Sequence, residues 1–322
     1  MHLPTFTDVL HARKTIAPYL RPTPLYHYKP LSDIIGAEVW TKHENHQPIG
    51  AFKVRGGINF VAHLDAETRE RGVITASTGN HGQSVAYACR LFGAKAIVAM
   101  PNGSNPVKVE AIRNFGAEIH FIGEKFDESR KYATEKAQND GMHYLSPGDE
   151  PLLISGVGTY TLEIIESLPD VDAIIVPVGG GSGASGACIV AKSINLKIQV
   201  IGVQAEASPA AYLSWKEKRW VEAENKTFAE GLATAAPFEV PQQILRRDLD
   251  DFVLASEGEI KSAMVLAMEK TRNLVEPAGA ASLAAAIKLR ESLRWKKVAL
   301  VMSGGNLDLR VFKNVLNEKT PN

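Results

Sequence analysis

The run Gly50-Ala51-Phe52-Lys53-Val54-Arg55-Gly56 places an amine beside aromatic, aliphatic and glycine neighbours. Far downstream lie two glycine-rich turns, Gly179-Gly180-Gly181-Ser182-Gly183 and Ser303-Gly304-Gly305-Asn306. An asparagine loop, Ser77-Thr78-Gly79-Asn80-His81-Gly82, lies between. Together they offer an amine, a phosphate cradle, a partner for a ring nitrogen and a cluster of carboxylate-binding donors. Those are the parts needed to hold pyridoxal phosphate and to run amino-acid chemistry on it.

Each part also has a plainer reading. Lys53 follows a Pro48/Gly50 turn and opens a helical stretch. If buried, its pKa falls and it becomes a Schiff-base nucleophile; if exposed, it is a surface lysine at a helix start. Asn80 falls between a strand ending near Ala76 and a helix starting near Gly82. There the backbone amides and the Ser77 and Thr78 hydroxyls suit a carboxylate; the alternative is a polar helix cap. Gly179 to Gly186 follows a strand and opens a helix, which suits a phosphate. The same segment, Gly181-Ser182-Gly183-Ala184-Ser185-Gly186, satisfies GxGxxG, and Glu206 stands near where a ribose-binding acid falls. Alone it points to a nicotinamide oxidoreductase. Ser303 ends another apolar strand, where ligands of parallel sheets bind.

The elements that must position these residues alternate along the chain. Strands are expected at 38–42, 73–76, 96–100, 119–122, 173–178, 198–203 and 298–302, several of them apolar at successive positions. Helical patterns run over 83–92, 107–115, 159–168 and 260–273. The expected fold is α/β, with two domains, each a mostly parallel twisted sheet with helices on both faces. Pro147-Gly148-Asp149-Glu150-Pro151 punctuates the chain. The expected division is a small domain over 48–148 and a larger one over 1–47 and 149–322. No C-terminal regulatory domain is expected after Ser303-Gly304-Gly305-Asn306.

Composition narrows the class. The chain has 322 residues, 45% hydrophobic and 22% charged, with 36 basic and 36 acidic side chains. No basic stripe suggests a nucleic-acid or membrane partner. The N-terminus reads as no signal peptide, and no run spans a bilayer. Cys89 and Cys188 fall in expected helices without a CxxC partner and read as core residues in a reducing compartment. The expected location is the cytoplasm. His43-Glu44-Asn45-His46 is not HExxH and is not read as a zinc site.

Taken together, the motifs resemble the serine/threonine dehydratases of the pyridoxal-phosphate family with the tryptophan-synthase β fold (fold type II), which includes serine racemase. The resemblance runs through Arg21 to Leu25, Phe52 to Gly56, Ser77 to Gly82, Gly179 to Gly183, Thr227 to Gly231, Glu276 to Gly279 and Ser303 to Asn306. It implies that Lys53 forms the Schiff base with the cofactor and then removes the substrate α-proton. It further implies that Phe52 and Gly231 flank the ring, that Asn80 bonds the ring hydroxyl and that Ser303 bonds the ring nitrogen. By the same resemblance Gly179, Gly180, Gly181, Ser182 and Gly183 are expected to hold the phosphate, with Glu276 and Gly304 completing the cofactor site. Ser77, Thr78, Gly79, Asn80 and His81 are expected to frame the substrate carboxylate, with Thr78 a catalytic candidate beside Lys53.

The implied reaction is β-elimination from a 3-hydroxy-L-amino acid, L-threonine or L-serine first, to a 2-oxo acid and ammonia. A homodimer is implied as well. Three positions depart from the usual pattern: Ala51 for serine, Thr78 for the alanine of many dehydratases or the serine of racemases, and Gly156-Val157-Gly158 for Gly-Gln-Gly. They leave a racemase, or a dehydratase for hydroxyaspartate or phenylserine, as alternatives. Where some relatives carry metal-binding carboxylates, this chain has Gln204 and Ala210, so metal independence is expected.

Overall fold

The computed structural model describes residues 2–319. Among these residues the strands are β1 (Leu25–His27), β2 (Glu38–His43), β3 (Val73–Ala76), β4 (Ala96–Met100), β5 (Glu118–Phe121), β6 (His143–Tyr144), β7 (Ala173–Pro177), β8 (Gln199–Ala205), β9 (Asp251–Ala255) and β10 (Lys297–Met302). They form two sheets, one ordered β1-β2-β10-β7-β8-β9 and the other β5-β4-β3-β6. All neighbours pair parallel except β1, which runs antiparallel along the β2 edge. The α/β architecture expected from the alternation is therefore present.

The burial pattern explains the apolar runs. Every residue of β3, β4 and β7 is buried, as is β10 from Val298 onward, because helices cover both faces. The apolar core lies as layers above and below each sheet. One layer joins Leu31, Ile175, Met264, Leu283 and Leu300, and another joins Val9, Tyr160, Ile174, Val190 and Val301. No described helix is long and apolar enough to cross a membrane.

Three strands are shorter or more polar than the sequence reading detects. β1 and β6 have three and two residues, and β9 opens on an exposed Asp251. The helix expected from Thr159 begins at Pro151 instead, with Glu150 capping the Leu152 amide. Gly156 and Gly158 lie inside it. In space they let backbones approach: a Cβ on Gly156 would lie 2.8 Å from Gly56 Cα, and one on Gly186 would lie 2.7 Å from Gly158 Cα. The Pro151–Ser167 helix thus packs tightly on both the Val54–Ala62 and Ser182–Ile194 helices.

Parallel strands carry their ligand loops at their carboxyl ends. β2 leads toward Lys53, β10 ends just before Ser303, and its neighbour β7 leads to the 179–183 loop. In the smaller sheet β3 leads to the asparagine loop.

Candidate active site

Lys53 is the residue just before the Val54–Ala62 helix. Its segment is stitched to the end of β10: the Phe52 amide donates to Ser303 O at 3.0 Å, the Gly305 amide donates to Gly50 O at 2.9 Å, and Ala51 bridges Gly304. From the other side the Ser84 hydroxyl donates to the Lys53 carbonyl at 2.6 Å. The Lys53 amine donates to Ser182 Oγ at 2.8 Å and to Pro147 O at 3.0 Å. Among the described residues no carboxylate holds it, and burial brings its pKa down to about 8.

Ser182 is the first residue of the Ser182–Ile194 helix, and Gly181 before it has φ +88°. Ser185 donates to Gly181 O, and the preceding amides have no intrahelical acceptor. That leaves a ready anion nest. Gly179 needs its missing side chain, because a Cβ there would fall 2.1 Å from Gly231 O. A Cβ on Gly183 would meet the Phe52 ring at 3.2 Å, and the Tyr160 hydroxyl fixes Gly183 by donating to its carbonyl at 2.8 Å. Gly186 serves the helix contact described above, and Glu206 is exposed with its amide on Ala255 O. The three glycines of the GxGxxG spacing thus serve three different contacts: a left-handed turn at Gly181, the Phe52 ring at Gly183 and the neighbouring helix at Gly186.

The asparagine loop starts the Asn80–Phe92 helix, two residues earlier than the sequence suggests, and its N-cap residue, Gly79, has no side chain to cap it. Ser77 Oγ accepts from the amides of Gly79 (3.2 Å) and Gly82 (2.9 Å), which shapes the turn and leaves its own proton free. The amides of residues 78, 80 and 81 are not used by the protein among the described residues, and neither is the Thr78 hydroxyl. His81 differs from the expectation. Its ring is buried, Nε2 donates to Leu145 O at 3.2 Å, and Nδ1 has no partner. Burial, then the Lys53 charge, pushes its pKa down to about 3. A neutral ring with its proton already placed cannot clasp a carboxylate, so any such role falls to the His81 amide.

Asn80 Nδ2 donates to Glu276 Oε1 at 2.7 Å, and Asn80 Oδ1 accepts from Asn306 at 2.8 Å. Glu276 is buried, and its pKa rises to about 7 because desolvation outweighs Lys108 and the Asn80 bond. Gly304 gives that carboxyl room, since a Cβ would lie 2.4 Å from Oε1. Gly231 abuts Ala278, where a Cβ would lie 2.7 Å from the alanine methyl. Ser303 is buried beside this group and carries a hydroxyl, not a carboxylate, at the end of β10. Lys53, Phe52, Asn80, the 179–183 loop, Gly231, Glu276, Ser303 and Gly304 are thus drawn together.

Sequence reasoning passed over a buried ionic cluster beneath the site. Arg55 Nε and Nη2 donate to Glu44 at 2.7 and 2.8 Å, and Nη1 and Nη2 to Glu163 at 2.6 and 2.8 Å. Lys42 adds a second cation on Glu163. Burial opposes the Glu44 charge, but Arg55 outweighs it and holds that carboxyl below its usual range. The only signal in sequence was Arg55 two places after Lys53. His43 and His46, three apart, stack at 4.9 Å; His43 Nε2 meets the Tyr28 hydroxyl at 2.9 Å and His46 Nε2 meets Asn273 Oδ1 at 2.7 Å.

A family profile described as "Pyridoxal-phosphate dependent enzyme" matches residues 16–304. The chain is 38% identical over 315 residues to the L-threonine ammonia-lyase of Thermotoga maritima, covering 98% of this chain and 78% of the relative. It is 33% identical over 320 residues to the L-threo-3-hydroxyaspartate ammonia-lyase of Saccharomyces cerevisiae, covering 99% and 98%. The structure of maize serine racemase superposes with a TM-score of 0.93 at 29% identity, over 98% of each chain. The residues present fit the group that this family carries. A buried amine without a counterion stands beside an anion nest, and the hydroxyl and amide donors around it leave room only because glycines line the walls.

Proposed function

This chain is a member of the pyridoxal-phosphate-dependent enzyme family, and we propose that it is an ammonia-lyase converting a 3-hydroxy-L-amino acid to a 2-oxo acid and ammonia. When bound, the cofactor supplies an electron sink for the carbanion left at the α-carbon. The residues of the chain do the rest. The free amides of residues 78, 80 and 81 hold the substrate carboxylate. Lys53 would hold the cofactor, and its free amine is a base of suitable strength to take the α-proton. The 179–183 nest would hold the phosphate, Asn80 the ring hydroxyl, and Phe52 and Gly231 would confine the ring. Ser303 would offer the ring nitrogen a hydroxyl too weakly acidic to protonate it, which would favour prompt loss of the β-hydroxyl.

The observation that carries this reading is the Lys53 amine, uncompensated and desolvated, on the first residue of the glycine-loop helix. L-Threonine and L-serine are the proposed substrates, in keeping with the activity named for the Thermotoga relative. The unpartnered Thr78 hydroxyl keeps one second reading in play: an acid on the opposite face of the substrate makes a racemase. Turnover of L-threonine, L-serine, L-threo-3-hydroxyaspartate and phenylserine, with 2-oxo acid and D-enantiomer measured together, tests both. Only the D-enantiomer from every substrate would overturn the lyase. We further propose a cytoplasmic homodimer and a smaller unit over 48–148, which contains every strand of the four-stranded sheet.

A further inference from the structure

We propose that Asn306 is a positioning residue that fixes the polarity of Asn80, so that Asn80 presents only N–H to the ligand above it. The direction is set by a backbone atom. Ile49 O lies 2.7 Å from the Asn306 amide and can only accept, so the atom facing it is Nδ2. The other hydrogen of that nitrogen goes to Asn80 at 2.8 Å, which must therefore offer Oδ1. Asn80 Nδ2 is left facing Glu276 Oε1 at 2.7 Å, with one hydrogen to spare. A Cβ on Gly50, where φ is +67°, would lie 2.6 Å from Asn306 Oδ1, so Gly50 makes room for one end of the relay as Gly304 does for the other. Lys108 and Glu230 are the charged groups that act on Glu276 from neighbouring segments, with opposite sign.

The inference rests on the proposed function for the identity of the ligand. Toward pyridoxal phosphate, the spare Asn80 hydrogen donates to the ring oxygen and favours its ionised form. The test is Asn306→Asp. A carboxylate takes a hydrogen from Asn80 and gives none, so the Asn80 amide turns over and offers an acceptor. The apo variant should then bind pyridoxal phosphate roughly tenfold more weakly, the worth of one charge-assisted hydrogen bond. The visible absorption of the bound cofactor should also shift from that of the parent.

Adding Glu276→Gln restores a donor for the turned-over Asn80. Thermal stability should recover in the double variant while the absorption stays shifted. Parental affinity and absorption in Asn306→Asp, or stability and absorption recovering together, would overturn the relay. Borohydride fixation of cofactor to Lys53 in the parent separates the two claims. Its absence would defeat the proposed function, whereas its presence with an unmoved Asn306→Asp spectrum defeats only the polarity of Asn80.

Discussion

The Lys53 amine and the Ser182 hydroxyl are 2.8 Å apart, so the amine touches the first residue of the Ser182–Ile194 helix. No carboxylate among the described residues accompanies the amine, and its lowered pKa comes from desolvation. A cofactor held at both points bridges groups that already meet.

Attachment should follow the Lys53 titration. The amine is protonated and unreactive below about 8 and free above it. The rate of pyridoxal phosphate attachment to apoenzyme should therefore rise with pH through about 8 and level off. A rise continuing to the ordinary lysine range would show a solvated amine. Lys53→Ala should lose attachment altogether and cut ammonia release by at least ~10²–10⁴-fold, the loss typical of a positioned base.

Ser303→Asp should place an acid of the right strength against the ring nitrogen. We expect slower elimination and a new long-wavelength absorption band on adding substrate. An unchanged rate and spectrum would mean that residue 303 does not touch the ring.

Arg55→Leu strands two carboxylates, Glu44 and Glu163, in the interior with Lys42 as the remaining nearby cation. Breaking a buried pair by removing one partner costs about 3–5 kcal/mol. Denaturant unfolding should show that loss. Arg55→Lys should recover only part of it, because an ammonium cannot span two carboxylates as the planar fork does.

Metal removal should leave the rate unchanged. Gln204 is buried, its carbonyl accepts from the Tyr212 amide at 3.0 Å and its nitrogen donates to Thr234 Oγ1 at 3.3 Å. Both polar atoms are occupied and neither carries charge. Activity after exhaustive chelation, and again after magnesium, manganese or calcium is restored, checks this. A severalfold gain on restoring metal would reveal ligands elsewhere.

The parts of the site legible in sequence are those that the backbone constrains locally. Gly179 to Gly183 follows a buried strand and opens a helix, so spacing alone announces a nest. Lys53 is legible only in company: its own neighbours leave it open between a buried amine and a surface lysine, and the two glycine turns and the asparagine loop single it out. What spacing cannot show is side-chain direction across long separations. Asn306, Asn80 and Glu276 meet from three distant segments, and nothing local distinguishes Asn306 from a turn residue. His81 sits in the right loop, yet its ring turns inward to Leu145 O, a choice made by tertiary packing. Gly186 suggests a nucleotide loop, and Gly156 and Gly158 only a departure from a family pattern, until the helices they bring together are seen. β1, β6 and β9 escape notice because strands so short or polar carry too little periodicity.

The pairing of Ala51 with Gly304, and of the Phe52 amide with Ser303 O, gives the lysine a double allegiance. Its helix leans on the Asn80–Phe92 helix beside the smaller sheet, but the residues leading into it are sewn to the central strand of the larger one. The position of Lys53 is thus held from the larger sheet, although the helix that follows it packs beside the smaller one.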